Sequence, residues 1–241
     1  MANSDTNTEA TPSVASETSF APLTWDGSGQ RFYENGVDHA VLYPQSSDGT
    51  YPTGVAWNGI TGITESPDGA EANDLYADNM KYATLRSAET FGGTITAYTY
   101  PDEFGACDGT ATPEGMKGLY LGQQARNAFG LSYRTQVGND TATSDDDGYK
   151  LHLVYGATAS PSEKSYETIN DSPDGIELSW EFTTTPVACE GYKAVSTITL
   201  DSLKLGKTAM KAIEDVLYGS TTAAARLPLP SEVIDIISKA A

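Results

Sequence analysis

Cations, histidines and cysteines are scarce in this chain of 241 residues. Lys and Arg number 14 against 33 Asp and Glu, a formal net charge of −19. So acidic a surface repels phosphate and argues against ordinary nucleic-acid binding. It suits first a protein kept soluble at high concentration, and second a conduit wall along which DNA slides without sticking. The two cysteines, Cys107 and Cys189, make no disulfide framework. No apolar run approaches the length of a membrane span. The opening MANSDTNTEATPSV lacks a basic start and an apolar stretch, so no secretory signal is expected. Cytoplasmic assembly with reduced thiols follows, and the sequons at Asn139 and Asn170 are then chance matches.

Ordered chemical constellations are missing too. Leu205-Gly206-Lys207-Thr208 imitates the end of a phosphate loop, but Asp201 stands where its first glycine belongs. Asp145-Asp146-Asp147-Gly148 lacks the alternate spacing of a calcium loop, and a solvated acidic loop is the expectation. His39 and His152 have no zinc-ligand spacing, and His152 is expected half-exposed in mid-strand. Gly130-Leu131-Ser132-Tyr133-Arg134 lacks the second glycine of a nucleophile elbow. Pairs of carboxylates abound, so finding one says little about glycoside hydrolysis. The expectation is a non-enzyme with no catalytic residue, cofactor or metal.

What the chain does have is strand grammar. Thr94 to Tyr100 alternates: Ile95, Ala97 and Thr99 on one face, Thr94, Thr96, Tyr98 and Tyr100 on the other. Ile176, Leu178, Trp180 and Phe182 are expected inward, with Glu177, Ser179 and Glu181 outward. Strands are also expected over 127–137, with Leu131, Tyr133, Thr135 and Val137 on one face, and over 149–157 and 194–200. Glu34-Asn35-Gly36 reads as a hairpin turn within 31–43. Tyr51–Thr64 reads as a glycine-broken strand. Glu65 to Met80 reads as a loop or extended arm carrying Glu65, Asp68, Glu71, Asp74 and Asp78 before the first cation, Lys81. Such carboxylates must face water, a metal or a basic partner. Lys81–Ala97 reads as a second hairpin turning near Glu89–Gly93, and Pro101–Cys107 as one helical turn. After Leu205 the period becomes helical: Met210, Ile213, Val216 and Leu217, then a stop at Gly219. Pro230 opens a last helix with Val233, Ile234 and Ile237.

The runs GITESPDGAEANDLYADNMKY (Gly62–Tyr82), FGGTITAYTYPDEFGACDG (Phe91–Gly109) and GYKLHLVYGATASPSE (Gly148–Glu163) resemble the major tail tube proteins of long-tailed, siphovirus-type bacteriophages. The resemblance spans roughly Phe32 to Asp201. It implies a mainly β fold: a β-sandwich or partial barrel with a long hairpin, extended arms and C-terminal helices. It also implies a virion structural protein that assembles with itself into stacked, usually hexameric rings. Partners implied are further copies, a tape measure protein, tail terminator and tail tip proteins, and phage DNA passing without specific binding during ejection. Hairpins around Tyr51–Ile60 and Lys81–Tyr100 would join neighbours' strands into a barrel. The acidic arm residues with Tyr98 and Tyr100 are the candidate assembly contacts, and Glu177 and Glu181 the candidate lumen residues. The same tyrosines would equally suit a β-sandwich module that binds a glycan or a protein.

The expected organisation is an N-terminal arm over 1–30, a tube domain over 31–204 and a helical segment over 205–241. The arm is either a disordered leader or a segment anchored on a neighbour by Phe20 and Trp25. Inside the tube domain, Ile63–Glu71 (ITESPDGAE) echoes Ile169–Glu177 (INDSPDGIE), and Ala106-Cys107-Asp108-Gly109 echoes Ala188-Cys189-Glu190-Gly191. The shared order favours a pseudo-repeat over 63–109 and 169–191 rather than recurring turn chemistry.

Overall fold

The computed structural model describes residues 22–141, 148–166, 168 and 175–240. Phe20, Asp145–Asp147, Asn170 and most of the second SPDG turn lie outside the described residues. The strands are β1 (Phe32–Pro44), β2 (Val55–Ala56), β3 (Ile60–Glu65), β4 (Asp68–Gly69), β5 (Ala72–Ala77), β6 (Met80–Arg86), β7 (Glu89–Thr90), β8 (Gly92–Ala97), β9 (Phe129–Asn139), β10 (Gly148–Ala159), β11 (Leu178–Thr184) and β12 (Thr197–Asp201). A 3₁₀ turn covers Asp102–Ala106, and three helices close the chain: α1 (Ser202–Leu205), α2 (Lys207–Leu217) and α3 (Pro230–Ala240). The mainly β class with C-terminal helices is as expected.

One antiparallel sheet runs β2-β1-β9-β10-β11-β8-β3, with β12 also on β10. It does not close into a barrel. Its shape comes from a fork in β10. Residues Lys150–Val154 pair with β12, whereas Ala157–Ala159 pair with β11. Between them the register slips and Gly156 takes φ +59°, where a Cβ would lie 2.2 Å from the Thr185 carbonyl oxygen. Only glycine fits there. The fork lets β11-β8-β3 fold over β1-β9-β10, which makes the two layers.

Two cores result, one on each side of β1-β9-β10. Between the layers lie Leu42, Trp57, Ile95, Phe104, Phe129, Leu131, Val154, Trp180 and Phe182. The 3₁₀ turn delivers Phe104 into edge-on contact with Trp180 at 5.2 Å and Phe129 at 5.6 Å, an arrangement aromatic quadrupoles favour. On the other side α2 and α3 cover Val41, Tyr43, Leu151, Leu153 and Tyr155 with Met210, Ile213, Leu217 and Val233. Tyr43 donates to the Leu217 carbonyl (2.9 Å) and Tyr155 to the Pro228 carbonyl (3.0 Å), so two buried phenols tie the helical segment to the sheet.

Several expectations need correction. Glu34-Asn35-Gly36 is no hairpin: β1 runs straight through it, paired to β9 from Phe32↔Asn139 to Pro44↔Phe129. The turn chemistry is absorbed as bulges, with Gly36 and His39 at positive φ. Ser132, on the opposite face of β9 from Leu131 and Tyr133, is buried as well and bonded to the Tyr43 hydroxyl, because the helices cover that face. Ile176 precedes β11 and is 45 % exposed. His152 is largely buried rather than half-exposed, its side chain 12 % accessible. The two cysteines are both buried but not in matched settings. Cys107 belongs to the interlayer core, whereas Cys189 lies next to Glu190, whose N–H is bound by Ser231 of α3.

Candidate assembly surface

The stretch between β3 and β8 is one long hairpin, not a loop followed by a second hairpin. Its pairs run from Asp68↔Thr90 through Ala72↔Arg86 to Ala77↔Met80. The reversal is at Asp78-Asn79, with φ of +52° and +61°. Two central residues at positive φ match the twist of a tight hairpin, and Asp and Asn tolerate that region better than most. The expected turn near Glu89–Gly93 is therefore overturned: those residues are strand, β7 leading into β8. The proline and glycine that suggested breaks, Pro67 and Gly69, produce only pauses between β3, β4 and β5.

Register then assigns the faces of β5-β6. Leu75 and Ala83 oppose each other, as do Ala77 and Met80, and Asn73 and Leu85. These share one face, because the register shift between Leu75 and Tyr76 resets the period of two on β6, giving an apolar strip of Leu75, Ala77, Met80, Ala83 and Leu85. Asp74, Tyr76, Lys81, Thr84 and Arg86 share the other face. No side chain of the arm is buried, and Leu75, Met80 and Leu85 are 40, 65 and 55 % exposed. An isolated two-stranded ribbon is marginal in water, and one with an open apolar strip is incomplete.

The acidic residues divide. Glu65 does not point along the arm. It pairs with Gly93 in the inward set with Ile63↔Ile95, and accepts a hydrogen bond from the buried Tyr133 hydroxyl. Contact with His152, and then with Tyr133, lowers its pKa against the opposing effect of burial. Asp74 is not uncompensated: Lys81 lies 2.8 Å away and the Thr84 hydroxyl 2.7 Å away, which holds its carboxyl below the ordinary range. Asp68 caps the neighbouring Gly69 N–H, Glu71 is exposed beside Ser87, and Asp78 makes the turn. Tyr98 is 59 % exposed, just past β8. Tyr100 is less free. Its ring meets Trp180 edge-on at 5.4 Å and Lys164 at 5.7 Å, so it caps the interlayer core.

Glu177 and Glu181 lie on the outward face of β11-β8-β3. Across the register Glu181 faces Thr94, Ser179 faces Thr96, and Thr64 faces Thr94 from the other side. The Thr61 hydroxyl donates to Glu177 and lies 3.0 Å from the Thr96 hydroxyl. This face is a field of hydroxyls and carboxylates, continuous with the arm. At its border β3 pairs with β8 alone among the described residues, leaving one backbone edge unpaired. Sequence reading missed the part played by Tyr133 and His152, which hold Glu65 from another layer. Only knowledge of which strands stack would have revealed it.

No protein-family model and no curated protein matches the chain. Among solved structures it is similar to the sheath/tube terminator, in its extended state, of an extracellular contractile injection system. The identity is 12 % and the TM-score 0.30, over 74 % of this chain and 99 % of that one. An overlap this loose fixes neither fold nor role.

Proposed function

We propose that the chain is a virion structural protein, a bacteriophage tail tube subunit that assembles with itself into rings and stacks them. The reading takes its name from the sequence resemblance over Phe32–Asp201. The observation that carries it physically is the arm: a ribbon extending β3 and β8, bearing an apolar strip of Leu75, Met80 and Leu85 that the described residues leave open. A second copy can cover that strip and pair the free edge of β3 in one step. Side-by-side copies would then continue β11-β8-β3 from subunit to subunit, as barrel closure removes edges. The outward face, with Glu177 and Glu181 among hydroxyls, becomes the lining. Such a wall repels DNA phosphates at short range and offers no cation to hold them. Six subunits per ring, a siphovirus tail and contacts to tape measure, terminator and tip proteins belong to this proposal.

The test is electron microscopy of the purified full-length chain in negative stain, over a concentration series. Rings or tubes of uniform diameter are expected. A monomer at every concentration, retained instead on a glycan column, would replace this reading with that of a binding module.

A further inference from the structure

His152 sits on β10 at the polar end of the space between the layers, and each of its ring nitrogens faces a different carboxylate. Nε2 is 3.5 Å from Glu34 of β1, and Nδ1 is 3.6 Å from Glu65, the last residue of β3 before the arm. The ring lies flat on Tyr133 of β9, with centroids 4.7 Å apart and planes within 4°. Thr135 of β9 is 3.0 Å from Nε2 and also donates to Glu34, while Thr199 of β12 is 3.4 Å from Nδ1. The other charged group here is Lys150 of β10, bound to Glu34 and within the field of Asp201. The first half of β1 and β3 share no backbone pairing, so this cluster is a side-chain tie between them.

We propose that His152 is a charge-dependent clasp for the arm: as imidazolium it joins Glu34 to Glu65, and as neutral imidazole it lets Glu65 go. The number of N–H donors on the ring decides what it can hold. Imidazolium carries two N–H groups and can serve both sides. Nε2–H then reaches Thr135, whose own proton continues to Glu34, while Nδ1–H faces Glu65. Two cations balance two carboxylates. When the proton leaves to solvent, one nitrogen becomes an acceptor. Thr135 has a single proton and already spends it on Glu34, so Nε2 keeps its hydrogen and Nδ1 is left bare beside the Glu65 carboxylate. Lone pair then faces anion, and among the described residues bonded to the ring it is Thr199, 3.4 Å away, that can turn a hydroxyl to it. Glu65 retains the Tyr133 hydroxyl but loses its cation, and the arm starts at the next residue.

The signs agree. The lowered pKa of Glu65 means that its ionised form contributes above the ordinary value of 4.5 and is lost only as pH falls through the lowered one. The clasp is closed while the imidazole between Glu34 and Glu65 is charged and opens once it is neutral, so a rise in pH loosens it.

Hydrogen exchange of the full-length chain tests this at pH 5.5 and pH 8.0, in one assembly state and with intrinsic rates corrected. Protection over 60–69 and 89–97 is expected to fall ~5-fold or more at the higher pH, the size of a partly buried ion pair of roughly 1 kcal/mol. His152→Gln and, separately, Glu65→Gln are expected to abolish the dependence, and His39→Gln to keep it. Glu65→Gln retains an acceptor for Tyr133, so it stands in should His152→Gln fail to fold. Equal protection at both pH values in the native chain, or dependence persisting in either folded variant, overturns the clasp. Neither result touches the tube reading, which is judged by microscopy.

Discussion

Replacing Leu75, Met80 and Leu85 together with serine separates assembly from folding. The three are 40, 65 and 55 % exposed, and what covers them is a ribbon with no buried side chain, so their loss is confined to the arm and leaves both cores intact. Together they offer roughly one and a half fully exposed side chains, worth about 3 kcal/mol when buried by a neighbour. At 1.4 kcal/mol per decade this weakens each subunit contact by about two orders of magnitude. A tube multiplies such contacts, so the variant is expected to remain unassembled where the parent forms rings. Sedimentation velocity over a concentration series reads the first quantity. Thermal unfolding of the monomer reads the second, and the expected loss is under about 1 kcal/mol, or roughly 2 to 4 °C for a chain this long. A variant that assembles at the parent concentration would show that the strip is not the contact. One that unfolds far earlier would show that the strip is already packed within its own chain.

Three other outcomes follow from the geometry. Gly156→Ala places a Cβ against the Thr185 carbonyl at φ +59° and is expected to cost more than about 2 kcal/mol by chemical denaturation; a neutral effect would mean that the fork in β10 is not rigid. Arg134 binds Asp38 through two nitrogens and holds its carboxyl at about 2, so this pair contributes fully above pH 3.8 and is lost as pH falls toward 2. Asp38→Asn is expected to remove about 1 to 2 kcal/mol, after allowance for screening, of the stability difference between pH 6 and pH 2; an unchanged acid profile would refute the pairing. Burial pushes the Cys107 thiol up to about 12, so its alkylation at pH 8, followed by peptide mapping, is expected only at the rate of global unfolding; prompt labelling of the native protein would contradict its place in the core.

Local pattern made much of this fold legible. The alternation from Thr94 to Ala97 is a strand with Ile95 and Ala97 fully buried, and Met210, Ile213 and Leu217 do line one face of a helix that stops at Gly219. What pattern could not supply was pairing. Glu34-Asn35-Gly36 carries turn chemistry, but β9 binds β1 on both sides of it, and nine residue pairs of tertiary ladder outweigh a local preference. Asp78-Asn79 carries a weaker turn signal than Pro67-Asp68-Gly69, yet reversal there keeps both arm strands in register with β3 and β8. The candidate site was half visible for the same reason. The acidic run was plain, but nothing in its spacing says that Glu65 alone turns inward, or that Lys81 reaches back to Asp74 across the ribbon.

That inward turn decides how an incomplete ribbon keeps its place. A two-stranded arm with no buried side chain has little rigidity of its own, and its direction is set where it leaves the layered sheet. At that point β3 and β8 pass from the interlayer core, where Ile95 and Phe182 lie, into a ribbon in which no side chain is buried. Glu65 is the last side chain able to reach the opposite layer, and it takes Tyr133 and His152 there. A hydrophobic residue would bury as well but would slide, because apolar contacts carry no direction. A carboxylate bonded by the Tyr133 hydroxyl of β9 and facing the His152 ring of β10 at 3.6 Å fixes both distance and angle. The polar tie at the arm's root and the apolar strip at its tip therefore answer one requirement. The arm must be aimed before a neighbour arrives, yet left unsatisfied until it does.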